Sequence, residues 1–133
     1  MGQQQLLLLV LAAVIVGTGI LLGVNMFQDN AAQANLDAVT QDCLTLASRA
    51  QAWYRRPTAL EGGGQSFTGI TLQELNFPAS GKNENGTYTL GVAAATLTIT
   101  GVGLEDGDDD DTTPVTVVTT VINNSVSTDI TSR

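Results

Sequence analysis

The chain is 133 residues long and carries five Lys or Arg against thirteen Asp or Glu, a net charge of −8, with no His and one Cys. That length holds one domain plus an appendage, and the charge excludes a nucleic-acid binder, whose phosphate contacts need clustered cations where this chain has only the Arg55-Arg56 pair. Without His the usual general base near neutral pH is missing, and Cys43 alone forms neither an intrachain disulfide nor a zinc knuckle.

The first element in chain order is apolar. No charged residue occurs between Gln3 and Gln28, and Leu6 to Val24 runs for nineteen residues interrupted in polarity only by Thr18 and three glycines. At the α-helical rise this is a rod of roughly 30 Å, the thickness of a bilayer's hydrocarbon layer. Leaving its thirteen large aliphatic side chains in water would cost on the order of 20 to 40 kcal/mol. A domain stabilised by roughly 5 to 15 kcal/mol cannot hold such a segment wet. It therefore sits in lipid, in a bundle of many copies, or in each at different times. Ala32-Gln33-Ala34 offers a small-x-small cleavage site, but the run is longer than a signal core and no Lys or Arg precedes it. The opening hexapeptide lacks the Ser or Thr of a myristoylation pattern. A plain single-span anchor is the simpler alternative. Gly17, Gly19 and Gly23 admit two readings, close contacts between neighbouring helices or a point of local unwinding.

Helical phase persists beyond Phe27. Leu36, Val39, Cys43, Leu46, Ala50 and Trp53 recur at spacings of three and four, one apolar stripe on a helix reaching about Tyr54, with Arg55 and Arg56 at the negative end of its dipole and Pro57 as the stop. The expected organisation is an apolar helix half over residues 1–28, an amphipathic half over 29–56 and a β-rich head over 57–133.

A connecting loop follows, in which Gly62-Gly63-Gly64 is a flexible or tightly turning link and not a phosphate cradle, since no Gly-Lys-Ser/Thr follows it. Thr71 to Leu75 has the pattern of one capped helical turn. Three Thr/Val-rich strands are expected at residues 87–92, 96–102 and 115–122, with Tyr88, Leu90 and Val92 sharing a face, as Leu97, Ile99 and Val102 do if Gly101 is a bulge, so that one side of the sheet is apolar and the other Thr-rich. Their apolar side needs cover, and the stripe from Leu36 to Trp53 is the long apolar face available, so an α+β fold results: one long N-terminal helix with an antiparallel sheet packed on its second half. Cys43 then behaves as a small buried apolar residue. The tail from Ser125 is a last strand or a contact arm.

The acidic run from Glu105 to Asp111 reads as a solvated loop. Asp106, Asp108 and Asp110 alternate as hard-oxygen ligands would, but the turn glycine and the distant Glu of a calcium loop are not in place. Asn85-Gly86-Thr87 and Asn123-Asn124-Ser125 match the N-glycosylation pattern, a short motif that also arises by chance.

A helix with an apolar first half, an amphipathic second half and a small β-rich head resembles the type IV pilins. The Met1-to-Gln5 opening, Trp53-Tyr54-Arg55-Arg56-Pro57 and Gly62-Gly63-Gly64 are similar to those of short bacterial pilin-like proteins. Gln5 stands where that family carries a carboxylate, and the lone Cys43 leaves no disulfide loop. The resemblance implies a structural, non-enzymatic subunit without cofactor. It would be inserted in the inner membrane before assembly, handled by pilus assembly machinery and polymerised with identical copies into an extracellular, cell-surface filament. The assembly core would comprise Leu6, Leu9, Val10, Val14, Val16, Gly19, Leu22, Gly23 and Phe27. Alternatives are a membrane-anchored surface protein and a minor pseudopilin-like part of a secretion machine.

Overall fold

The computed structural model describes residues 2–107 and 113–133. Helix α1 spans Gly2–Arg55 without interruption, 54 residues or about 80 Å of rod at the α-helical rise. The backbone stays helical through Gly17, Gly19 and Gly23. Pro57 then forbids continuation, and the glycine run folds back to close the helix end. The N–H groups of Gly63, Gly64 and Gln65 donate to the carbonyls of Trp53, Arg56 and Tyr54 at 2.9, 2.9 and 2.8 Å. Of the two readings of the glycines the tight turn applies: a Cβ on Gly63 would strike the carbonyl of Ser66 and the Trp53 ring.

Four antiparallel strands follow in the order β1-β2-β3-β4: β1 (Gly86–Val92), β2 (Leu97–Gly103), β3 (Thr116–Val121) and β4 (Val126–Ser132). The three expected strands are present, and the tail forms the fourth. Residues Thr71 to Leu75 make a single hydrogen-bonded turn, with the Thr71 hydroxyl accepting from Glu74 N at 3.4 Å. It is not prolonged into a helix.

One detail differs from expectation. Gly101 is not a bulge, because β1 and β2 pair in unbroken register with Tyr88 opposite Gly101 and Leu90 opposite Ile99. Leu97, Ile99, Gly101 and Gly103 point inward and Val102 lies on the outer face among threonines. The irregularity sits instead between Thr116 and Val117, against β4.

The sheet packs on the second half of α1 chiefly through β2 and β3. Leu36, Val39, Cys43, Leu46, Ala50 and Trp53 are all buried, joined by Ala32 and Ala47, against Tyr88, Leu97, Ile99, Val115, Val117 and Val121. The connecting segment contributes Phe67, Ile70 and Leu75 to the same core. Phe77 meets Tyr88 edge-on at 5.1 Å and Tyr54 meets Phe67 at 4.7 Å, closing the β1 flank of the core with aromatic contacts.

Candidate assembly surface

The first half of α1 touches nothing else in the chain. Exposure of its large side chains reaches 64% at Leu6 and 78% at Phe27, with Leu9, Val10, Val14, Val16 and Leu22 comparably open. A Cβ placed on Gly17, Gly19 or Gly23 would meet nothing within 4 Å beyond its chain neighbours and the local backbone of its own helix, so the missing side chains make room for no other part of the chain. This helix is long and apolar enough to cross a membrane. Two coverings suit such a surface, lipid and other apolar protein, and regular packing against other copies would also need the head to hold the rod in a fixed direction.

That hold is polar as well as apolar. Asn35, Asp42 and Arg49 are seven residues apart, so they line up along one edge of the buried stripe. Asn35 donates to Asn85 O at 2.8 Å and accepts from Leu104 N at 2.8 Å. Arg49 donates to Leu75 O at 2.9 Å and Asn76 O at 3.2 Å. Between them, Asp42 Oδ2 accepts from Asn83 Nδ2 at 2.8 Å, Asn85 Nδ2 at 2.8 Å and Tyr88 Oη at 2.7 Å. Burial alone would raise the Asp42 carboxyl, but the three donors together outweigh it and hold the group below its ordinary value. Burial and the neighbouring Asp42 charge push Tyr88 upward, so its hydroxyl stays a donor. On the other edge of α1, Gln51 and Arg55 donate to carbonyls of the β3–β4 turn at Ile122, Ser125 and Asn123. No apolar periodicity marks Asp42 or Asn35. The signal in the sequence is their heptad spacing with Arg49.

Cys43 is fully buried, and burial pushes its thiol up to about 11, so the nucleophilic thiolate is scarce near neutral pH. Asn85 Nδ2, the atom a glycan would take, is engaged with Asp42, whereas Asn123 is exposed at the β3–β4 turn. Of the possible calcium ligands, Asp108 and Asp110 lie outside the described residues. Among the described residues no three His, Cys, Asp or Glu side chains gather as a metal site would require.

No protein-family model significantly matches this chain, and neither do the curated proteins nor the solved structures.

Proposed function

We propose that this protein is the structural subunit of an extracellular type IV pilus-like filament. Its apolar helix half would lie in the inner membrane before assembly and pack against identical copies afterwards. The observation that carries the reading is the rod itself: an uncharged, fully uncovered apolar half continuous with a helix whose other half is fastened to a small head on both edges. An anchor needs only a span in lipid. A filament subunit also needs a head that cannot swing, because a fixed angle between rod and head is what lets each copy repeat the contacts of the last.

In this reading the chain works as a structural polymer and performs no catalysis. The experiment is assembly of the purified full chain after detergent removal, followed by negative-stain microscopy, in the natural sequence and in Leu9→Asp and Val16→Asp. The natural chain is expected to form uniform helical filaments without lipid. Each Asp variant should lose them while the head keeps its circular dichroism, since the new charge would be buried unpaired in the core. A natural chain that stays monomeric and enters bilayers would identify a single-span anchored protein instead. Filaments formed normally by both variants would place the core elsewhere.

A further inference from the structure

The two flanks of α1 beneath the sheet are unlike. Three strand spacings set β1 and β4 about 14 Å apart, while a helix with its side chains is about 10 Å wide. Helix α1 lies under β2 and β3, so it cannot also cover both outer strands. On the β1 side the chain fills the gap itself with Phe67, Ile70 and Leu75. Among the described residues the β4 side receives nothing comparable. Val126, Thr128 and Ile130 pair with Val121, Thr119 and Val117, each of which is buried, so these β4 side chains share the inward face. Yet Val126 is 37% exposed, Ile130 is 40% exposed, and Thr128 is exposed too. Leu44 completes the feature, 42% exposed and two helical turns before Gln51, which reaches the β3–β4 turn. The result is an apolar trough walled by α1 and roofed by β4.

We propose that this trough receives the apolar helix half of a second copy of this chain. The claim rests on the filament reading and names one of its contacts. A body lying beside one helix and beneath a sheet has the space of a second helix, whose axis would run 8–10 Å from the first. Leu44, Val126, Thr128 and Ile130 are uncharged, and the charges on this edge of the helix, Asp37 and Arg55, lie one heptad before Leu44 and at the β3–β4 turn, so a charged partner laid along the middle of the trough would be desolvated there without compensation. Copies with a net charge of −8 repel one another except where uncharged surfaces meet, and Leu6–Phe27 is the long helical segment of this chain that carries no charge. Helix α1 extends about 45 Å beyond the head at the α-helical rise, so a copy displaced by that order along the axis brings its free half level with the trough.

The test uses full-length chains carrying Cys43→Ala as background. One chain bears Ile130→Cys, and the other a single cysteine moved stepwise from Leu9 to Leu21. The two are mixed, assembled and oxidised. Disulfide-linked pairs between Ile130→Cys and helix positions three or four apart, present in assemblies and absent in detergent-dispersed chains, are expected. If filaments form with helix-to-helix links alone, such as Val16→Cys with itself, the trough assignment fails and the filament reading stands. If Ile130→Cys links only to itself, β4 meets the β4 of its neighbour and the assignment also fails. If no assembly forms even from the natural chain, the trough assignment falls along with the filament reading.

Discussion

At Asp42 one carboxylate oxygen accepts three hydrogen bonds from Asn83, Asn85 and Tyr88, and this concentration ties the docking of the head to pH. Because the folded carboxyl is held below its unfolded value, its contribution is fully present above the ordinary carboxylate range and is lost as pH falls through that range toward the folded value. The thermal stability of the detergent-dispersed chain should therefore decline once the pH drops below about 4. Asp42→Ala should cost about 2 to 4 kcal/mol at neutral pH, since three donors lose one acceptor, and should flatten the acid dependence. An unchanged pH profile in that variant would assign the acid response to other carboxylates. Nothing in hydrophobic periodicity points to Asp42, because its position becomes meaningful only when Tyr88 and the loop at Asn83–Asn85 are brought to it from forty residues away.

Among the elements, the pairing of α1 with β2 shows how a helix can approach a sheet closely. Gly101 faces inward directly beneath the helix: a Cβ there would lie 2.7 Å from Val39 Cγ1 and 2.8 Å from Cys43 Sγ. Gly101→Val should push helix and strand apart and destabilise the head by about 3 kcal/mol, in line with overpacking of a filled core. The control is Gly91→Ala, whose Cβ would meet Thr98 at an ordinary 3.5 Å and whose effect on melting should be slight. Equal melting shifts in the two variants would contradict the close approach. The expectation of a bulge at Gly101 came from requiring an apolar side chain at every inward position of the strand. The inward place is filled instead by side chains of the helix, so regular register survives and Val102 turns outward. Strand β4 has a weak pattern for a related reason: both its faces are exposed, so burial selects little between Val126, Thr128 and Ile130 on one side and Ser127, Asp129 and Thr131 on the other.

For the molecule as a whole, charge and apolar surface are segregated: thirteen acidic residues and all five basic ones lie outside the uncharged first half of the helix. If the chain assembles through that half as proposed, acidic heads are brought together, and added monovalent salt should favour polymer by screening them, the Debye length falling from about 30 Å at 0.01 M to about 8 Å at 0.15 M. Sedimentation of the assembled fraction across this range checks the sign, and salt-induced dissociation would point to ion pairs as the holding contacts. The sequence by itself determined the long helix, its division into an apolar and an amphipathic half, the six-residue buried stripe and three of the strands. Each of these follows from periodicity and chain stiffness within a few turns of backbone. Only the tertiary structure decided the Asp42 cluster, the regular register at Gly101, the fourth strand and the open flank beneath β4. Those depend on which distant groups meet and how wide a sheet one helix can cover, and neither quantity is written in local spacing.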